Sequence, residues 1–139
     1  MPATYLTGER TPHNDPHARG SFTQLGPGTD RADLANATLE GVGLGLLDGL
    51  LAVESTGLVA QEITVIGGGS RSAYWTQMLA DILGKRLVMR SGGDLGPALG
   101  AARLARLAAE SGATLDEVCP MPPVTAAFGI DLGTTNSVI

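Results

Sequence analysis

The sequence predicts an α/β domain with parallel strands and flanking helices, on two observations. Two short runs rich in apolar residues, "EITVIG" at 62 to 67 and "KRLVMR" at 85 to 90, alternate with segments of 3.6-residue periodicity. Each run also ends close to glycines that precede a helical pattern, the signature of strand, tight turn and helix. Two strands joined through a helix call for a right-handed crossover and hence parallel pairing. A two-stranded parallel sheet is a poor domain by itself, so these strands are expected to belong to a larger sheet.

The elements follow in order. Residues 1 to 30 form a loop-rich segment, because Pro2, Pro12, Pro16 and Pro27, with Gly8, Gly20, Gly26 and Gly28, interrupt any helix. From Asp30 the pattern changes to "DRADLANATLEGVGLGLLDGLLAVESTG", a helix of roughly 25 residues with Thr29 or Asp30 as N-cap and Gly57 as its stop. Gly41, Gly43, Gly45 and Gly49 each cost such a helix about 0.8 to 1 kcal/mol relative to alanine in an exposed interior. The expected return is close backbone packing on a neighbour. After the first strand, residues 71 to 83 form a second helix with Ser70 as candidate N-cap and Tyr74, Trp75, Met78, Leu79 and Ile82 as its apolar stripe. After the second strand, "DLGPALGAARLARLAAESG" forms a third, with Pro97 near its first turn and Gly112 near its stop.

Bulk properties narrow the function. A chain of 139 residues leaves room for one ordinary domain, and a hydrophobic content of 43% is enough to fold it. A net charge of -5 without a Lys/Arg cluster gives no footprint for nucleic acid and no basic membrane patch. The beginning of the chain has no basic region followed by an apolar segment, and no apolar run approaches 18 residues, so neither a signal peptide nor a membrane span is expected. A cytoplasmic location is the default. Cys119, the single cysteine, excludes an internal disulfide and sits in a Pro-rich tail without a base nearby.

The glycine turns are the candidate sites. "GGGS" lies at the carboxyl end of a strand, where open α/β sheets bind ligands, and its N–H groups could face an anion or nucleotide. It has neither the GxGxxG spacing nor the GK[ST] of a Walker loop. A turn that only reverses the chain is the plain alternative. "SGGDLGPALG" repeats the arrangement after the second strand, which would set two glycine turns side by side over one cleft. There, Asp94 suits either a ligand hydroxyl or a helix cap. Glu9, His13, Asp15 and His17 share the first loop, where a surface or substrate-side role is simpler than a metal site. Tyr74 and Trp75 read as packing residues rather than a stacking platform.

Four ordered segments, "YLTGERTPHNDPHARGSF", "RADLANATLEGV", "TVIGGGSRSAYWTQMLADILGKRL" and "GGDLGPALGAARLA", resemble the C-terminal part of the xylulose kinases in the FGGY carbohydrate kinase family. The resemblance covers about residues 3 to 127. It implies a partial ribonuclease-H-like domain of the actin and Hsp70 type, with residues 30 to 127 forming the adenosine side of the family's second domain. It implies that Gly67, Gly68, Gly69 and Ser70 approach the nucleotide and that Gly92 and Gly93 flank it. The family transfers the γ-phosphoryl group of MgATP to the 5-hydroxyl of D-xylulose, so ATP and Mg²⁺ are the implied cofactors. Its catalytic base and sugar contacts come from regions upstream of the matched part, and no aspartate here matches that base by motif. No catalytic residue is therefore assigned, and D-xylulose is an expected partner only if those segments are supplied. A nucleotide-binding or structural fragment without catalysis is the alternative.

Residues 128 to 139 are expected as a separate, isolated phosphate-loop-like strand and turn. Within it, "GIDLGTTNS" resembles the phosphate loop of Hsp70 and other actin-like ATPases. By that resemblance Asp131 sits near the metal and phosphates, with Gly133, Thr134 and Thr135 on the loop. In both families this motif belongs near the protein's beginning. The order leaves open a truncated or fused gene product, a permuted fragment needing a complementary piece, and a deliberate joining of two segments. Exposed strand edges make a homo-oligomer or a complementing kinase segment a further expectation.

Overall fold

The computed structural model describes residues 5–93 and 96–130. In chain order its elements are α1 (Arg31–Glu54), β1 (Glu62–Thr64), a 3-10 turn (Gly68–Arg71), α2 (Ala73–Leu83), β2 (Arg86–Arg90), α3 (Gly96–Ala109), α4 (Leu115–Val118) and β3 (Val124–Phe128).

Local chemistry sets the long helix. The Asp30 carboxylate accepts from the Ala32 and Asp33 N–H groups at 2.7 and 3.0 Å, while Asp33 accepts from the Asp30 N–H at 3.0 Å. This reciprocal cap satisfies donors that a helix start otherwise leaves open. By length and composition α1 could cross a membrane, with a mean hydropathy of 1.2 over its apolar window. That exceeds the apolar length expected from the sequence, because Glu40 and Asp48 are the only charges between Asp33 and Glu54. One side of α1 nevertheless lies on α2. Gly41 and Gly43 are buried, and a Cβ on Gly43 would fall 2.6 Å from Ile82 Cδ1 and 3.5 Å from Leu79 Cδ2. Gly43 thus gives the close helix contact that the cost of the internal glycines implied, while Gly45 faces Tyr5 instead.

Strands β1 and β2 pair in parallel, with Ile63 opposite Leu87 and Thr64 opposite Val88. The expected crossover is present, with the helix between them as α2. A third strand makes the sheet mixed: β3 lies at Val124–Phe128, ahead of the isolated strand expected from residue 128, and pairs antiparallel with β2, Phe128 opposite Leu87 and Val124 opposite Arg90. Leu79, Ala80 and Leu87 form the small core, with Ile63, Val65, Trp75 and Phe128 packed against it. Glu62 ties the sheet electrostatically, accepting from Arg86 and from Arg90 at 2.6 Å each. Arg90 also donates to the Pro122 carbonyl at 3.0 Å, which fixes the approach to β3.

Several boundaries differ from the sequence expectation. The first strand covers 62–64 rather than 62–67, and α2 begins after Ser72 rather than Ser70. The reason is the 3-10 turn: Ser70 donates its hydroxyl to the Gly67 carbonyl at 2.7 Å, leaving Ser72 Oγ to accept from the Trp75 N–H at 3.2 Å. Tyr74 leaves the apolar stripe, 62% exposed, and donates its hydroxyl to Asn36 Oδ1 at 2.6 Å. The Pro-rich tail contains α4, capped reciprocally by Thr114 and Glu117, with Cys119 as its C-cap.

The loop before α1 has its own hydrogen bonds. Glu9 and Asp15 form an antiparallel bridge, and Tyr5 lies against Gly45 of α1. Burial, followed by the nearby Glu9 and Asp48 charges, raises the Tyr5 hydroxyl pKa.

Two measurements check this packing. Gly49 has open space where a Cβ would stand, so Gly49→Ala is expected to stabilise the chain by about 0.8 to 1 kcal/mol, whereas Gly43→Val is expected to destabilise it by about 1 to 3 kcal/mol. Urea unfolding reads both, and equal effects would remove the close-contact role of Gly43. The second concerns acid. Lys85 Nζ lies 2.7 Å from Glu54 Oε1, and this hydrogen bond lowers the Glu54 pKa below its ordinary value. A carboxylate lowered in the folded state adds stability above its unfolded pKa and loses it as pH falls through its folded value. Glu54→Gln should flatten the acid limb of a melting-temperature profile, and an unchanged limb would show that the pair adds nothing.

Candidate functional site

The parallel register brings the two glycine turns together. Both follow the carboxyl ends of neighbouring strands, and Ile66 joins them: its Cγ2 lies 3.4 Å from the position of a Cβ on Gly93, and its Cδ1 lies 3.7 Å from that on Gly96. Gly67 enters the first turn at φ +88° and ψ 178°, an essentially Gly-only conformation that costs other residues roughly 1 to 3 kcal/mol. Gly67 and Gly68 are exposed, and no heavy atom lies within 4 Å of where their Cβ atoms would be. Gly69 is exposed too, but its Cβ position lies 3.4 Å from Cδ1 and Nε1 of Trp75. The turn therefore has an open side at Gly67 and Gly68 and a packed side at Gly69.

The packed side is held through α2. Ser70 is buried, and its N–H and hydroxyl both bond to the Gly67 carbonyl, at 3.2 and 2.7 Å. Thr76 is fully buried one turn into α2 and donates its hydroxyl to the Ser72 carbonyl at 3.0 Å and the Ser70 carbonyl at 3.4 Å. Sequence reasoning missed Thr76 and Ile66. A mid-helix threonine gives no motif, although its position six residues after the last serine of "GGGS" places it over the turn. Ile66 read as the end of a strand rather than a contact between turns. Because Ser70 spends its hydroxyl inside the turn, its N–H and side chain are structural here.

Gly92, at φ +79°, and Gly93 form the second turn, with the Cβ position of Gly92 3.6 Å from Leu99 Cδ2. Asp94 lies outside the described residues. So do Asp131, Gly133, Thr134 and Thr135. Strand β3 runs antiparallel to β2, so Gly129 and Ile130 leave the sheet at the end where β2 starts, opposite the glycine turns. Gln77 meets them there, donating to the Gly129 carbonyl at 2.7 Å and to Asp81 Oδ1 at 3.0 Å.

The polar residues of the first loop do not join this site. Glu9 accepts from the His13 N–H, Asp15 from the His17 N–H, and His13 Nε2 lies 3.4 Å from Asp48 Oδ2 on α1. Among the described residues, no group of three or more His, Cys, Asp or Glu side chains is placed to hold a metal ion. The described turns can offer backbone groups and space to a ligand, and no described acid, base or nucleophile stands over them with an assigned chemical role.

Comparison with known proteins gives this arrangement its context. Residues 2–109 match the C-terminal domain of the FGGY family of carbohydrate kinases. The chain is 54% identical over 120 residues to the xylulose kinase of Escherichia coli, covering 86% of this chain and 25% of that protein. It is 40% identical over 113 residues to a glycerol kinase of Bordetella parapertussis, covering 81% and 22% respectively. Among solved structures, the xylulose kinase of Brucella ovis superposes with a TM-score of 0.82 at 41% identity, over 94% of this chain and 28% of that one. The chain therefore spans about a quarter of the length of these relatives. Its mixed sheet, flanking helices and matched segments make it a member of the FGGY carbohydrate kinase family, related over its C-terminal domain to bacterial xylulose kinases.

Proposed function

We propose that this chain is the nucleotide-side portion of an ATP-dependent carbohydrate kinase whose parent reaction phosphorylates D-xylulose at the 5-hydroxyl. The observation that carries the reading is the open Gly67–Gly68 side of a turn at a strand's carboxyl end, beside a second glycine turn. A flat nucleoside needs close backbone approach, and the absence of side chains at Gly67 and Gly68 permits it. The residues fit that half of a nucleotide. Gly69 and Ser70 would shape the turn from behind, and Gly92 and Gly93 would border it.

MgATP would supply the transferable phosphoryl group and the metal charge that offsets its oxygens. The chain's own contribution is to bind and orient the nucleoside end. Proton removal from a sugar hydroxyl needs a base within hydrogen-bond reach, and none is assigned here. Independent turnover is accordingly not proposed. Asp131, with Gly133, Thr134 and Thr135, is proposed for a metal and phosphate role on the resemblance of "GIDLGTTNS" alone, as a role apart from the Gly67–Gly68 turn, because Ile130 leaves the sheet at the end opposite the glycine turns. A nucleotide-binding role without catalysis is the second reading, favoured by that same lack of a base. A cytoplasmic setting is the one proposed for such a chain.

The first test is calorimetric titration with MgATP. Gly68→Val meets no neighbour in the turn, so circular dichroism should be unchanged while ATP affinity falls by about tenfold or more, roughly 1.4 kcal/mol. Equal affinity would remove Gly68 from the nucleotide site. Asp131→Asn should reduce the magnesium dependence of ATP binding without abolishing nucleoside affinity. An unchanged dependence would detach the terminal motif from the metal. ADP production from xylulose and MgATP by the chain alone would overturn the assignment of the base to another segment.

A further inference from the structure

Helices α1 and α2 meet along a seam that is tight at one level and bridged at another. At Gly43 they are in contact, with Ile82 Cδ1 2.6 Å from the position of a Cβ on that glycine, and toward the start of α2 the Tyr74 hydroxyl reaches Asn36 at 2.6 Å. Along this seam lies an open groove of about 440 Å³. Leu44 of α1 and Met78 and Ile82 of α2 give it an apolar lining, and the exposed carboxylates of Glu40 and Asp81 stand at its rim. Leu44 is 46% exposed, so the apolar part of the groove is open to water.

Gln77 connects this groove to the end of the chain. It lines the groove and also donates to the Gly129 carbonyl at 2.7 Å, so the chain leaves β3 beside the crest of α2. Ile130 follows at 42% exposed, and residues 131–139 lie beyond it, outside the described residues. A helix with its side chains is about 10 to 12 Å across, whereas nine extended residues reach about 30 Å, so this segment can cross α2 with about half its length to spare. Its sequence, "DLGTTNSVI", carries one charge, at Asp131, and ends on two apolar residues preceded by four with hydroxyl or amide donors. Glu40 and Asp81 repel an acidic partner and accept from such donors.

We infer that the groove between α1 and α2 is the docking surface for this chain's own segment 136–139, with Val138 and Ile139 against Leu44, Met78 and Ile82, and Asn136 and Ser137 donating to the carboxylates of Glu40 and Asp81. Three observations select this occupant over a foreign peptide. The segment begins beside the groove because Gln77 holds Gly129, its length spans the crossing, and its end pairs apolar residues with neutral donors as the groove does. A tether this short also keeps the segment at an effective concentration on the order of millimolar, so a small apolar contact is enough to hold it. Residues 131–139 lie beyond residues 2–109, the part that matches the family model. The contact uses neither the glycine turns nor Asp131, so loss of ATP binding leaves it standing.

The test is methyl NMR of the full chain, isotope-labelled at its four methionines, with the Met78 signal assigned by its loss in Met78→Leu. Val138→Asp and Ile139→Asp should each move the Met78 signal toward that of a solvent-exposed methionine, while Met121, 77% exposed, stays in place. Both substitutions lie outside the described core, and circular dichroism checks that the fold is kept. A second measurement is cross-linking in a Cys119→Ser background. There, Leu44→Cys with Val138→Cys should close an intramolecular disulfide about tenfold or more faster than Leu104→Cys with Val138→Cys, Leu104 being a 69% exposed residue of α3. A Met78 signal indifferent to both tail substitutions overturns the inference. So do equal rates of cross-linking, or a Met78 signal that changes with protein concentration, which would put a second copy of the chain in the groove.

Discussion

The parallel register of β1 on β2 is the constraint on which the arrangement depends. Placing Ile63 opposite Leu87 sets both strand ends level, and only then do the Gly67–Gly69 turn and the Gly92–Gly93 turn become neighbours joined by Ile66. A slip of one residue would turn Leu87, fully buried against Leu79 and Ala80, to the opposite face of the sheet. The core residues thus enforce the geometry of the turns. Glu62 reinforces it from the edge, because its two arginine partners stand four residues apart on β2 and meet it only in this register.

The second organising contact is the pair of helices above that sheet. Gly43 lets α1 approach Ile82 and Leu79, and the Glu54–Lys85 pair ties the last residue of α1 to the connection just past the Gly84 cap of α2. The core beneath them is small, and many large apolar side chains remain exposed, including Leu46, Leu51 and Val53 on α1. A chain of this length ordinarily buries a larger share of such residues. Family membership accounts for the difference: the surfaces left open here belong to a fold of which the matched region is about a quarter.

Much of this was legible in the sequence because it rests on local rules. A cap at Asp30, one of two candidates with Thr29, the end of α1 just ahead of Gly57, the crossover and the pairing of glycine turns all follow from residue type and spacing. The four glycines of α1 also announced a close neighbour, without naming it. What escaped depends on tertiary choices. A terminal strand was expected from residue 128 but as an isolated one; that "VTAAF" would pair as β3 gave no sign, because an antiparallel partner is selected by the free side of β2. Ser70 looked like a cap, but a 3-10 turn moved that duty to Ser72. Thr76 and Ile66 carried no signal as a motif, since burial and contact between two turns are properties of the folded chain. Asp131 and its neighbours were legible only by resemblance, and they lie outside the described residues.

The packed side of the first turn has an optical consequence. Trp75 is the chain's single tryptophan, and its indole edge lies 3.4 Å from the Cβ position of Gly69. Indole fluorescence from this protein, excited to the red of the absorption of Tyr5 and Tyr74, therefore originates at one place, directly behind the turn, with neither the background of other indoles nor the need for an attached dye. Any rearrangement of Gly67–Ser70 changes the polarity around that ring, so the emission spectrum is a built-in reporter of the turn's state.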